Sequence, residues 1–254
     1  MNPEPDRYWN DEGLVIRTVD YGEKDRIVIL FTRRRGKISA IARGIRKSGS
    51  RFGTALDPGT FSSILMYRGR GLPHVTQAEI RTSCRKFLTD PPRWAVVSYC
   101  LNLIADCYEP ESPDIALYEE VHAIFSLLAQ CSNWQTLLMK FRVDLLGFLG
   151  IRPHIFRCAA CGRQEGREVF SWNVQSGGLV CQGCSVQGGI TEPFLPDLRL
   201  ILERIASQSV RECQKLRFSR RQFFDLDRLL AAYYRHHLER KTPDWFSFSR
   251  RFPV

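Results

Sequence analysis

Four cysteines restrict this 254-residue chain more than any other feature. Cys158-Ala159-Ala160-Cys161 is followed, after 19 intervening residues, by Cys181-Gln182-Gly183-Cys184. Each CxxC turn aims two sulfurs at one point. Two such turns close a tetrahedral shell with metal–sulfur distances of about 2.3 Å. Four thiolates leave no open position for water or substrate, so the spacing predicts a structural zinc ion held by Cys158, Cys161, Cys181 and Cys184. The competing reading is reduced thiols or a redox CxxC, and two matched pairs weigh against it. Gly162 and Gly183 are expected to ease the turns. Between them, Val169–Asn173 is expected to pair with Leu179–Val180 across Ser176-Gly177-Gly178. His154, just upstream, is a rival ligand, with a solvated loop histidine the simpler reading. Cys84, Cys100, Cys107, Cys131 and Cys213 have no partner at ligand spacing and read as small buried hydrophobes.

Thiols of this kind fit a reducing compartment. Met1–Asp11 is polar and acidic with no apolar run, so no secretory signal is expected and the location is read as cytoplasmic. No run of 18 apolar residues occurs, which argues against a spanning helix and a membrane partner.

Charge supplies the second constraint. The chain carries 37 Lys and Arg against 27 Asp and Glu, a net of +10. Residues 1–90 contribute +7 and residues 190–254 contribute +5, flanking a middle of −2 over 91–157. A basic surface of this kind points to a polyanion. Between Arg26 and Leu56 there are nine cations and no acid. Arg33, Arg34, Arg35 and Lys37 fall in a turn, and Arg43, Arg46, Lys47 and Arg51 fall in the loop after the next strand. Together they are the candidate phosphate contacts. Phe31, Phe52, Phe61 and Tyr67 are the candidate rings, with Phe31 and Phe61 expected in the core.

The same region reads as five strands: Gly13–Val19, Arg26–Thr32, Gly36–Arg43, Thr60–Arg68 and Leu72–Ile80. Five short strands in about 70 residues suggest an oligonucleotide-binding (OB) barrel, with an SH3-like barrel or a plain meander as alternatives. Cations beside rings on such a barrel suit nucleic acid, since charges track phosphates and rings stack on bases. After Asp90-Pro91 the period becomes helical. Trp94, Val97, Leu101 and Ile104 mark one helix. A second follows Ser112-Pro113, carrying Ile115, Tyr118, Val121, Phe125 and Leu128. A third carries an apolar stripe of Trp134, Leu137, Leu138, Phe141, Leu145, Phe148 and Leu149, and stops at Gly150 and Pro153. Two more are predicted over 197–207 and 220–238, the latter opened by the Ser219/Gln222 capping box. The fold class is therefore α+β and multidomain: an OB barrel over 1–86, a helical domain over 87–156 and 190–254, and an inserted four-cysteine module over 157–189.

No Walker-type phosphate loop, GxGxxG, HExxH or GxSxG occurs, and no carboxylate pair is placed for acid–base work, so no enzyme is expected. The other reading of the parts is a zinc-ribbon RNA-binding or transcription-associated module.

The order of parts resembles the bacterial RecO family of recombination mediators. The resemblance rests on Gly13-Leu14-Val15-Ile16, Tyr21–Asp25, Phe31-Thr32 with Gly36-Lys37, Ala42–Ser48, Leu145–Pro153 and Gly177–Cys181, spanning about 175 residues. At Lys241-Thr242-Pro243-Asp244 the chain departs from the basic, serine-containing segment such a family would place there. The resemblance implies a non-enzymatic DNA-repair protein that binds single- and double-stranded DNA and anneals complementary strands. It implies a nucleoid association. It also implies partners: RecR, the acidic C-terminal tail of the single-strand-binding protein SSB and, indirectly, RecA. A receptor for that tail needs an apolar pocket with a cation at its lip. Lys140 and Arg142, the only cations between Arg93 and Arg152, flank Phe141 near Leu138 and Leu145, so these five form the expected tail site.

Overall fold

The structure is a computed structural model. It describes residues 7–131, 133–164, 170–185, 192–238 and 244–252, with 192 and 193 described by backbone alone. Val169 of the expected hairpin and residues 241–243 lie outside these. The chain divides into two compact units at His122/Ala123.

In the first unit, alternating Val, Ile, Leu and Phe build β1 (Tyr8–Tyr21), β2 (Asp25–Thr32), β3 (Gly36–Ala42), β4 (Thr60–Tyr67) and β5 (His74–Ser83). They close into a barrel of order β1-β2-β3-β5-β4. One half of β1 pairs with β4 through Tyr8–Leu14 and the other with β2 through Gly13–Tyr21. One strand serving two partners explains its 14 residues, twice the predicted span. A parallel contact at Ile41 and His74 completes the ring. This five-stranded Greek-key closure is the OB barrel, and it removes the SH3-like and meander alternatives. Val15, Val28, Leu30, Ala40, Ile64, Met66 and Val75 fill the interior, joined by Phe52 and Leu56 from the segment after β3.

The β2–β3 turn depends on Gly36. Its φ is +70°, and a Cβ there would lie 2.1 Å from the Ser112 carbonyl oxygen. Helix α1 (Pro91–Cys107) starts as expected, with Asp90 Oδ1 accepting the Arg93 N–H at 3.2 Å. Helix α2 (Ile115–Leu128) starts two residues later than Ser112-Pro113 suggests, because Asp114 Oδ1 takes the Leu117 N–H at 2.9 Å. The boundary between the units falls within α2.

The second unit is organised round α3 (Trp134–Phe148). Every residue from Thr136 to Leu146 is buried, charged ones included. A helix covered all round belongs at the centre of its domain rather than on its surface. Strands β6 (Phe170–Asn173), β7 (Gly178–Cys181) and β8 (Glu192–Phe194) form a small sheet of order β7-β6-β8, with α4 (Gln182–Ser185) after β7. Then come α5 (Pro196–Ser207), α6 (Val210–Cys213), α7 (Arg220–Leu238) and α8 (Trp245–Ser249). The Ser219/Gln222 box forms: Gln222 N donates to Ser219 Oγ at 3.2 Å and Ser219 N to Gln222 Oε1 at 2.8 Å. No helix among the described residues is long and apolar enough to cross a membrane.

Candidate metal centre and nucleic-acid interface

The sulfurs of Cys158, Cys161, Cys181 and Cys184 lie within 4.8 Å of one another. A tetrahedral ion with ~2.3 Å bonds needs sulfurs roughly 3.8 Å apart, and Cys161 and Cys181 stand at 3.8 Å. The backbone shapes the set. Cys158 N donates to the Arg163 carbonyl at 2.8 Å, Gly162 N to the Cys158 carbonyl at 2.9 Å and Ala159 N to the Leu179 carbonyl at 2.7 Å. Gly162 needs its glycine freedom, at φ +75°. Gly183 does not, since it sits in α4 with open space around it. Burial pushes the Cys158 thiol up, but N–H groups of Cys161, Cys181 and Ala160 outweigh it and draw the thiol down to about 6. The neighbouring sulfurs of Cys181 and Cys161 hold the Cys184 proton and push that thiol up to about 12. Four sulfurs that share protons this way can hold one metal ion, which would replace those protons.

His154 serves through its backbone. Its N–H donates to the Gly177 carbonyl at 2.9 Å and its carbonyl accepts from Leu179 at 2.8 Å. A Cβ on Gly178 would come within 2.4 Å of the His154 carbonyl oxygen. Helix α7 supports the same turn: Tyr233 Oη donates to the Gly177 carbonyl at 3.4 Å and His237 Nε2 lies 3.0 Å from the Val174 carbonyl. Cys84, Cys100, Cys131 and Cys213 are buried and Cys107 is half-buried.

The basic residues of the first unit gather at the two ends of the β2–β3 ladder. At one end the β1–β2 turn and the 43–51 segment enclose a concavity of about 980 Å³ lined by Tyr21, Lys24, Arg43, Lys47 and Arg51. Gly44 N donates to Asp25 Oδ1 at 2.7 Å, and Arg46 reaches the Gly22 carbonyl at 3.3 Å and Asp20 at 3.5 Å, so Arg46 braces the loop. The Arg26 guanidinium holds the Asp20 carboxyl below its ordinary value. Arg43, Lys47 and Arg51 are exposed.

At the other end a groove of about 1050 Å³ is lined by Trp9, Arg34, Arg35, Lys37, Ile38, Arg68 and Leu72, among others. Arg34 and Arg35 are exposed. The other two cations of this turn are committed within the unit: Arg33 pairs with Glu119 at 2.8 Å, and Lys37 Nζ donates to the Ala105 carbonyl at 2.7 Å. Phe31 and Phe61 are in the core as expected, and Phe52 joins them at 3% exposure, which removes it as a stacking ring. Tyr67 packs on Tyr8 with centroids 5.0 Å apart. The ring on the groove is Trp9, with the Arg35 guanidinium 4.9 Å and the Arg68 guanidinium 5.9 Å from its centroid. Neither Trp9 nor Arg68 stood out in the sequence. The signal for Arg68 is the run Arg68-Gly69-Arg70-Gly71 at the end of the predicted strand Thr60–Arg68, two cations among glycines beside the basic turn.

The expected tail site on α3 is corrected. Leu138, Phe141, Arg142 and Leu145 are wholly buried and Lys140 is 5% exposed. Lys140 Nζ binds Asp144 at 2.7 Å and the Ile205 carbonyl at 3.1 Å. Arg142 forms a buried ion pair with Asp227 of α7. Both cations neutralise interior carboxylates, so α3 offers no lip for a peptide.

The parts define a class of two-part proteins: a basic OB barrel followed by helices that carry a four-cysteine cluster able to hold a metal ion. Two family profiles match in that order, one described as Recombination protein O N terminal over residues 7–84 and one as Recombination protein O C terminal over residues 88–245. A DNA repair protein RecO of Bacillus subtilis is 31% identical over 209 residues, 79% of this chain and 81% of its own. Another, from a Nocardioides species, is 31% identical over 238 residues, covering 91% and 95%. A third, from Desulforamulus reducens, is 27% identical over 230 residues, covering 91% and 90%. The chain belongs to the RecO family of DNA-repair proteins.

Proposed function

We propose that this chain is a non-enzymatic recombination mediator. It binds single- and double-stranded DNA on its barrel, anneals complementary strands and, with RecR, helps load RecA onto SSB-coated DNA. The observation that carries the reading is the pair of basic concavities at the two ends of β2–β3, on a barrel whose strand 2–3 face and neighbouring loops are the usual oligonucleotide platform of this fold. The contacts proposed for phosphates are Arg34, Arg35, Arg43, Lys47 and Arg51, with Arg33, Lys37 and Arg46 shaping the loops that carry them. Phosphate contacts of this kind carry no sequence preference.

The metal proposed for the four-cysteine cluster is zinc in a structural role. Tetrahedral all-thiolate ligation suits zinc, and a filled shell leaves nothing for catalysis. For the SSB tail, support lies on α7 and α8. Phe224 is 49% exposed and meets Phe246 at 5.2 Å. Arg220 and Arg221, both exposed, precede Phe224 by one turn. An acidic peptide ending in an aromatic residue would match that surface.

The test is DNA binding and strand annealing by the purified chain, with and without SSB. The reading expects binding to both DNA forms and faster annealing, retained on SSB-coated strands. No binding to either form at low salt would reject it.

A further inference from the structure

The two ends of the β2–β3 ladder differ chemically. They are separated by the register steps from Arg26/Ala42 to Thr32/Gly36, about 20 Å of strand. The 43–51 end is lined by the cations Lys24, Arg43, Lys47 and Arg51, the acids Glu23 and Asp25, and glycines and serines, with Tyr21 its one lining ring. The other end has a tryptophan with two guanidinium groups within 6 Å of its centroid and an apolar wall that includes Ile38 and the exposed Leu72. Its lining holds five cations against the single acid Glu111; Arg17 pairs with Asp106 at 3.6 Å and Lys37 binds the Ala105 carbonyl, so Arg34, Arg35 and Arg68 are the ones that face a ligand.

We propose that this second groove selects unpaired over paired nucleic acid, by taking a base onto the platform formed by Trp9, Arg35 and Arg68. The inference rests on the DNA-binding reading and sharpens it. A ring flanked by guanidinium groups offers stacking and cation–π attraction to any base, while the surrounding cations hold the backbone. A duplex keeps its bases stacked inside and can bring only phosphates to the groove. Stacking therefore adds affinity for single strands alone. At the usual strength of about 1–3 kcal/mol per stacked base this amounts to a preference of about 5- to 160-fold.

An abasic strand separates the contributions, because it keeps every phosphate and removes the bases. Fluorescence anisotropy at one salt concentration would compare a short labelled single strand, its abasic counterpart and a duplex of equal length. Wild type should prefer the natural strand over the abasic one by at least about 5-fold. Trp9→Leu should bind the natural strand no better than the abasic one, with duplex affinity unchanged, and Trp9→Phe should fall between. Quenching of tryptophan emission gives a readout that survives a folding defect in Trp9→Leu: the natural strand should quench wild type, the abasic strand should not, and Trp9→Phe should abolish the difference. Equal affinity of wild type for natural and abasic strands overturns the proposal. So does a Trp9→Leu variant, folded by circular dichroism, that binds all three ligands as wild type does or weakens them equally. Failure of wild type to bind any of the three is a different result, and it rejects the DNA-binding reading itself.

Discussion

Replacing Arg142 with Met should destabilise the helical unit severely. The Arg142 side chain is 0% exposed and its partner Asp227 is 2% exposed. The Asp227 carboxylate also accepts the Trp245 N–H at 3.0 and 3.1 Å, and Tyr234 Oη donates to the Arg142 carbonyl at 2.7 Å. The pair thus ties α3 to α7 and to the start of α8. Removing only the cation leaves a carboxylate buried without its counter-charge, a loss of about 3–5 kcal/mol. Domain stabilities run to about 5–15 kcal/mol, so this is a large share. With a urea slope of about 2 kcal/mol per M, the unfolding midpoint should drop by about 2 M. Arg142→Met/Asp227→Leu should recover part of it, because removing both charges together is often neutral. The remainder is the Trp245 N–H left without its acceptor, about 1–3 kcal/mol. Urea-dependent hydrogen exchange of α3 and α7 isolates this unit from the barrel. A single variant with the wild-type midpoint would refute the reasoning and return Arg142 to the surface as a candidate peptide contact.

Purified protein should carry one zinc per chain, and a strong chelator should release it and raise exchange across residues 158–184; metal-free protein with four freely titrating thiols and unchanged exchange would reject the site. The His237 imidazole is held below its ordinary 6.5, first by burial and then by the charge of His236, against the opposing pull of the Val174 carbonyl. The unfolded chain therefore takes up the proton first as pH falls. The contribution of His237 is complete above pH 6.5 and is lost as pH drops through that value toward the folded pKa, so exchange at the Val174–Gly178 turn should rise on acidification. His237→Gln should flatten that rise, and an unchanged pH profile in the variant would assign it to another group.

The strands and the cysteine module were legible because their signals are local. Alternation set β2 through β4 almost to the residue, and CxxC spacing brought four sulfurs together across 27 residues of chain. The start of β1 was lost because Asn10-Asp11-Glu12 reads as a polar terminus. Asp11 is nonetheless 5% exposed, and burial pushes its carboxyl above its ordinary value. Losing that half-strand hid Trp9, and with it the groove. Helix α3 shows the other limit. Its spacing revealed one apolar stripe, but the partners that bury Lys140 and Arg142 lie at Ile205 and Asp227. Whether a cation on a helix meets water or a distant carboxylate is decided by packing that no window of sequence contains. Phe52 was misjudged similarly: it looked like a loop ring among cations, yet the segment after β3 folds back to plug the barrel.

The central claim is that the barrel's exposed cations are the DNA-docking face, and the salt dependence of binding tests it most directly. The slope of log K against log salt counts released counterions, about 0.9 per phosphate contact on duplex DNA. The account predicts that Arg43→Ala/Lys47→Ala/Arg51→Ala flattens the duplex slope by about 2 to 3 and weakens all sequences alike. A folded triple variant that binds duplex DNA with the wild-type slope would contradict it.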